Sequence, residues 1–312
     1  MSIRLRALGL VLRIFVKPVL SHARDPAANR ELLEKGARRF FRMPPYALQR
    51  EARLQGGVSG IWVSARPATR PVPSDRLIFY VHGGGFIAGA PETHAALLAR
   101  LAWLTGVEVF APRYRLAPEH PFPAGIEDIR AAWEALLQRG YSPDRIVLAG
   151  DSAGGNIALA LLAELCSRGQ RPAGLFALSP HTDFTFQSPS IRENEHRDTM
   201  LPANRRKDVA RWYLSSGDVS DCAASPIFAT FLNPPPVLLQ YSQTEILRDD
   251  ASRLAAILRD AGGNVEEQVW PDAPHVFQIF DGWVPEARDA LEGVADFVAR
   301  RLDVTRPGKS RT

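Results

Sequence analysis

Apolar residues in this chain fall into short blocks separated by polar, glycine-bearing stretches, and two spacings alternate along the blocks. Leu77-Ile-Phe-Tyr-Val81 is a run of five bulky side chains, too short for a helix and dominated by β-branched and aromatic residues. Such a run predicts a strand buried on both faces. Residues 60–65, 107–111, 145–149, 174–178, 236–241 and 265–269 read the same way. Between them, residues 124–138, 153–168, 250–260 and 285–302 carry apolar positions at helical spacing, and Gly262-Gly263 closes the third of these helices. Strand and helix in alternation predict an α/β fold, a mostly parallel sheet with helices on both faces.

Two regions break the rhythm. Residues 1–55 read as helices, with 29–42 as a second helix ended by Pro44-Pro45, and 67–74 as a proline-rich turn. From 183 to 226 a polar stretch holds no strand pattern and only one helical piece, 203–214. That is too long for an ordinary connection. It reads as an insertion at about 184–225 which, with an N-terminal helical segment (1–55), caps one end of a main domain spanning 56–303. Residues 304–312 form a basic tail without expected order. In an open α/β sheet the site lies beyond the carboxyl ends of the strands, where such a cap limits access.

A chain of 312 residues with 46% hydrophobic composition supports a large core. The net charge of +4 is concentrated at the ends, in Arg4, Arg6, Arg13, Lys17, Arg24 and the tail. A near-neutral middle argues against nucleic-acid binding. Cys166 and Cys222 make no disulfide framework, so a reducing cytoplasm is expected. The first twenty residues are apolar, but Arg13 and Lys17 interrupt them and no small-x-small cleavage pattern follows. The stretch is also too short and too charged to span a bilayer. Arg6, Arg13, Lys17 and Arg24 share one stripe, and Pro18 is expected to kink its later part. The helix can rest on anionic lipid or lay its apolar face over its own protein, and the second is favoured.

The chemistry gathers at strand ends. Gly150-Asp-Ser-Ala-Gly154 joins a strand to an Ala/Leu-rich helix and fits the G-x-S-x-G nucleophile elbow. A serine on that turn needs glycines two residues away, because side chains there would collide. The helix N-terminus also points free N–H groups at whatever Ser152 attacks. His82-Gly-Gly-Gly-Phe86 follows strand 77–81, and its bare backbone can approach an oxyanion, as can the N–H of Ala153. Of seven histidines, His275 lies after the last strand and before the last helix, the place for a base that follows the acid in chain order. The acid comes from Ser242-Gln-Thr-Glu-Ile-Leu-Arg-Asp-Asp250. Asp249 and Asp250 stand where a helix begins and have capping work to do, which leaves Glu245 as the choice and Asp249 as the alternative.

Together with Tyr114-Arg-Leu-Ala-Pro-Glu-His-Pro121 and Pro274-His-Val-Phe277, these motifs resemble the hormone-sensitive-lipase-like branch of the α/β-hydrolases, bacterial carboxylesterases included. The resemblance covers residues 77–280. It implies an eight-stranded α/β-hydrolase sheet, a helical cap, a Ser-acid-His triad and no metal or other cofactor. On the family's pattern, Ser152 is the nucleophile, Glu245 the acid and His275 the base, with Gly83 shaping the turn and Gly84, Gly85 and Ala153 donating to the oxyanion. Two departures mark the acid motif, Ser242 for glycine and Glu245 for aspartate. Arg115 and Glu119 are expected to be structural, in buried charge pairs. The expected activity is hydrolysis of short- to medium-chain esters through an acyl-enzyme, with lactones as an alternative substrate. Phe86, Ile87, Met200, Trp212 and Phe277 are candidates to line the pocket. The resemblance also allows a homodimer. A binding protein on the same fold would lack part of the triad, and none of the required residue types is missing.

Overall fold

Alternation within the buried strands decides which helix covers which side of the sheet. In the computed structural model, which describes residues 1–22, 25–65 and 75–307, eight strands form one sheet. They are β1 (Ala47–Arg53), β2 (Ser59–Ala65), β3 (Leu77–Val81), β4 (Glu108–Pro112), β5 (Ile146–Asp151), β6 (Gly174–Leu178), β7 (Val237–Ser242) and β8 (Val265–Trp270). Their spatial order is β1-β2-β4-β3-β5-β6-β7-β8. β2 runs antiparallel to both β1 and β4, and all remaining pairs are parallel.

The helices are α1 (Ile3–Val11), α2 (Lys17–His22), α3 (Pro26–Phe40), α4 (Ala95–Thr105), α5 (Ala124–Gln138), α6 (Ser152–Ser167), α7 (Ser190–Glu193), α8 (Arg206–Leu214), α9 (Arg248–Asp260) and α10 (Pro285–Leu302). Leu77, Phe79 and Val81 face a core shared with α5, α6 and α9, whereas Ile78 and Tyr80 face one shared with α4 and α10. Both cores exclude water from whole side chains, which is the main favourable term in the fold. A third, smaller cluster joins Leu5, Leu8 and Leu12 to Phe277, Phe280 and Ala287 at the start of α10.

The structure corrects the reading of residues 1–55 as helical throughout. Ala47–Arg53 is a strand, paired from Ala47↔Ala65 to Arg53↔Ser59. Its Ala-Leu-Gln-Arg-Glu-Ala-Arg sequence consists of good helix formers, and pairing along the edge of β2 overrides that preference. α4 has no counterpart among the predicted helices. The tail is also not loose from 304 onward. Arg306 is buried and pairs with Glu292 and Asp296 on α10 while donating to Leu104 O. The expected turn at 67–74, Arg24 and residues 308–312 lie outside the described residues.

Pro18 does not bend the first helix away. A π-turn over residues 12–16 widens the helix just before it, with the Lys17 N–H reaching Leu12 O, and the chain continues as α2. The wider turn accommodates a ring that would otherwise press on the preceding turn. Two members of the basic stripe engage the insertion, while Arg6 stays exposed. Arg13 donates to Arg197 O, and Lys17 Nζ donates to Glu195 O and Asp198 O, all on the insertion. Among the described residues no helix is long and apolar enough to cross a membrane.

Candidate active site

Ser152 leaves the end of β5 at the first position of α6, with φ at +51°. Backbone packing explains the flanking glycines. A Cβ on Gly154 would lie 2.1 Å from Val81 O, and one on Gly150 would lie 2.5 Å from Gly154 O. No side chain can occupy either place without moving a strand. Ser152 itself stays partly exposed at the positive end of a sixteen-residue helix.

Asp151, one residue earlier, is buried and organises the neighbouring loop. It accepts from the Tyr80 hydroxyl at 2.8 Å and the Gly83 N–H at 3.0 Å, and lies 3.3 Å from His94 Nε2. Burial opposes the charge on Asp151, but the charge and hydrogen bond of His94 and the bond from Tyr80 outweigh it, and its pKa falls below 3.8. Burial likewise opposes the charge on His94, but Asp151 lifts its pKa above 6.5. With His94 protonated, the two form a buried ion pair. His82, beside them, is pushed down to about 3 by burial and by His94, so its ring is neutral and stacks on Tyr114. Gly84 has φ at +126°, and a Cβ there would sit 2.0 Å from Ala88 O. Neither the Gly84 nor the Gly85 N–H has a hydrogen-bond partner among the described residues.

The carboxylate and the imidazole meet at the ends of β7 and β8. His275 Nδ1 lies 2.7 Å from Glu245 Oε2, both side chains buried. The other Glu245 oxygen accepts from Ser179 Oγ and the Ser242 N–H, each at 2.8 Å. Burial opposes protonation of His275, but the bond to Glu245 and its charge win and raise the pKa above 6.5. His275 Nε2 is buried without a partner among the described residues. Ser242 also accounts for its own departure from glycine. Its hydroxyl accepts from the Ala273 N–H at 2.9 Å and stitches the acid turn to the histidine loop.

Asp249 and Asp250 are employed elsewhere. Asp249 accepts from the Ser190 N–H and pairs with Arg248, while Asp250 accepts from the N–H groups of Thr182 and Asp183 and from Ser188 Oγ. The insertion reaches the same turn. Asn194 Nδ2 donates to both Gln243 O and Glu245 O at 2.8 Å, and Asp198 accepts the Ile246 N–H at 3.0 Å. Ser179 sits at the end of β6, so the strand-end rule that singles out Ser152 and His275 also points to it. Asn194 and Asp198 carry no such signal.

The predicted pocket residues divide. Phe86 and Ile87 are buried beside the serine turn, and the Phe86 ring stacks on Tyr213 at 4.0 Å and meets Phe184 and His181. His181 belongs with them. Its N–H donates to Ser152 O at 3.2 Å, and burial pushes its imidazole down to about 4. Trp212 lies half-buried against this core under the Arg205 guanidinium, whereas Met200 hangs its N–H on Asp198. Phe277 is a correction. It opens a short turn that tucks its ring, fully buried, against Trp270 and the Leu5–Leu8–Leu12 cluster rather than into an open pocket. Arg115 and Glu119 are corrected too. Arg115 pairs with Asp128 and Glu119 with Arg30, and the side chains of Arg115 and Glu119 are 44% and 51% exposed rather than buried. No cluster of metal-ligating side chains is found among the described residues.

This geometry is that of a hydrolase with a serine turn, a glycine loop and a histidine–carboxylate pair on adjacent strand ends. Residues 78–279 match the family described as alpha/beta hydrolase fold. An esterase of Acinetobacter venetianus is 36% identical over 89% of this chain and 90% of its own length. The carboxylesterase NlhH of Mycobacterium tuberculosis is 33% identical over 90% of this chain and 94% of its own. The crystal structure of an esterase from the bacterial hormone-sensitive lipase family superposes with a TM-score of 0.89 at 32% identity, covering 97% of this chain and 99% of that one. The chain therefore belongs to the α/β-hydrolases, in the hormone-sensitive-lipase-like branch, and is a carboxylesterase.

Removing one member of the Asp151–His94 pair leaves a buried charge behind. His94→Ala is expected to cost about 3–5 kcal/mol of stability, measured by urea unfolding. The sign with pH follows from the two shifts. The His94 contribution is complete below pH 6.5 and fades as pH rises through its elevated value, and the Asp151 contribution is present above pH 3.8 and fades as pH falls through its depressed one. The loss should therefore be greater at pH 6.5 than at alkaline pH. An equal loss at both would contradict an ion pair.

Proposed function

We propose that Ser152 is the nucleophile, His275 the general base and Glu245 the carboxylate that orients it, with the N–H groups of Gly84, Gly85 and Ala153 holding the oxyanion and Gly83 shaping the turn. The observation that carries this reading is the bond from His275 Nδ1 to buried Glu245, which leaves buried Nε2 without a partner. That nitrogen is the one available to a serine hydroxyl. In the forward step Nε2 takes the Ser152 proton as Oγ attacks the ester carbonyl. The carbonyl π-electrons move onto oxygen, where the backbone N–H groups stabilise them. Collapse expels the alcohol, which takes the proton from His275, and the acyl group stays on Ser152. Water activated by the same nitrogen then releases the acid and frees Ser152.

The aromatic cluster of Phe86, Phe184 and Tyr213 beside Ser152 supports compact acyl or alcohol groups, and hence short- to medium-chain esters. The 1–55 segment and the insertion at 184–225 act as the cap, with β1 belonging to the sheet. Two unpaired thiols, one buried and one exposed, support a reducing cytoplasmic setting. A panel of p-nitrophenyl esters from acetyl to palmitoyl, with lactones alongside, tests the substrate class. Turnover should peak among the shorter esters, and Ser152→Ala should lose it by a factor on the order of 10⁶. Retained turnover by that variant would remove Ser152 from the mechanism, and a preference for lactones would redirect the substrate.

Catalysis needs a neutral His275, and its pKa is raised above 6.5, so kcat/KM should fall on the acid side with a midpoint above that value. Glu245→Gln should cost roughly 10⁴-fold in kcat and move the midpoint downward, because the charge that lifts the imidazole is gone. A rate that is flat from weakly acidic to weakly alkaline pH would count against His275 as the base.

A further inference from the structure

We propose that the outer face of the N-terminal helix seats this enzyme on an anionic lipid bilayer. The helix is apolar on two sides. Leu5, Leu8 and Leu12 form the inner row, buried against Phe280 and the start of α10. Ile3, Leu10, Val11, Ile14, Phe15 and Val19 form a second row, and all six are exposed, Ile3 at 84% and Phe15 at 66%. Residues three, four and seven apart fall on one side of a helix, so these side chains make a continuous strip and not scattered surface leucines. The inner row, with the bonds of Ser2, Arg13 and Lys17, docks the helix onto the protein. It leaves the outer row without a role in the fold.

The charges around the strip name the occupant. Residues 1–22 hold four cations and no carboxylate, and Glu286, at the start of the strip, is engaged by the Ser2 N–H and hydroxyl. Arg13 and Lys17 are engaged by carbonyls of the insertion, while Arg4 and Arg6 are exposed beside the strip. Where the strip begins, a groove of about 270 Å³ is lined by Ile3, Arg4, Trp283, Val284, Pro285 and Arg288, together with Ser2 and Gly282. Arg4, the exposed Arg288, whose Nε lies 3.9 Å from Asp281, and an indole surround one opening and match a phosphodiester headgroup at a bilayer surface, since arginine binds phosphate through paired N–H donors and tryptophan settles at the interface. Phe40 lies edge-on to Trp283 at 6.1 Å, and both rings are exposed, which extends the apolar surface beyond the groove.

A second copy of the chain is the rival occupant, and charge disfavours it. A two-fold contact sets the patch against a copy of the same patch, so a surface carrying Arg4, Arg6 and Arg288 meets one carrying the same three cations. An anionic bilayer takes up the apolar strip and pairs the cations in one contact.

The full-length enzyme is to be sedimented with vesicles of phosphatidylglycerol and phosphatidylcholine, and separately with phosphatidylcholine alone, with its mass in solution determined by light scattering. Binding is expected on the anionic vesicles and should weaken with added salt. The variant Leu10→Glu/Phe15→Glu should partition at least about tenfold more weakly, since each large apolar side chain taken out of water is worth roughly that factor. It should keep its turnover of soluble p-nitrophenyl butyrate. Arg4→Glu/Arg288→Glu should lose binding as well, and it keeps the test decisive if the first variant fails to fold. Failure of the unaltered enzyme to sediment with anionic vesicles would overturn the proposal, as would unchanged binding by a folded variant. A dimer that Leu10→Glu/Phe15→Glu converts to a monomer would assign the strip to a second copy and overturn it equally.

Discussion

The buried carboxylate of Asp151 is the contact on which the site depends. It stands next to Ser152 in sequence, yet each of its bonds goes to a different stretch of chain: Tyr80 in β3, Gly83 in the glycine loop and His94 before α4. β3 and β5 are neighbours in the sheet, with Val81 opposite Gly150, so the loop and the serine turn emerge side by side. The carboxylate then fixes how far apart they stay. An ion removed from water at this depth is tolerated only when its attractions are nearly complete, and here His94 supplies the compensating charge. Gly83 follows from the same contact, because a Cβ there would lie 2.1 Å from an Asp151 oxygen.

Strain is concentrated in the same place. Phe86, Ser152, Ser179 and Val276 all have positive φ, and Val276 is β-branched. Each such residue costs on the order of 1–3 kcal/mol and persists only where its surroundings over-determine it. Ser152 is held by glycine-lined backbone packing. Val276 follows the histidine and donates its N–H to Ser179 Oγ at 3.4 Å, while the same hydroxyl donates to Glu245. The cost is borne by two cores in which whole helices are buried against the sheet.

Most of this was readable from sequence where a single local pattern carried the signal. Continuous apolar runs locate the buried parallel strands, and strand-end placement singles out Ser152, His275 and Glu245, of which the last two are hydrogen-bonded to each other. Reading failed where tertiary pairing outweighs local preference, as in β1, or where a side chain's direction depends on a turn, as at Phe277. The support for the acid was hidden for another reason. Asn194, Asp198 and Ser179 lie 48 to 66 residues from the groups they hold, and no spacing rule links residues so far apart. Ser242 looked like a defect in a motif, whereas its hydroxyl makes a bond that glycine could not.

The attachment of the insertion to the acid turn constrains how such an enzyme diversifies. Asn194 and Asp198 grip the backbone on either side of Glu245, and Lys17 in turn grips the backbone of Asp198. Sequence change in this covering layer is therefore never purely a change of selectivity, because it is transmitted to the group that sets the basicity of His275. On the function proposed above, lineages that adapt to new esters have a freer path through Phe86, Phe184 and Tyr213, whose rings touch one another rather than Glu245. Exchange of whole covering segments between related enzymes should succeed only when the residues matching Asn194 and Asp198 travel with the turn they hold.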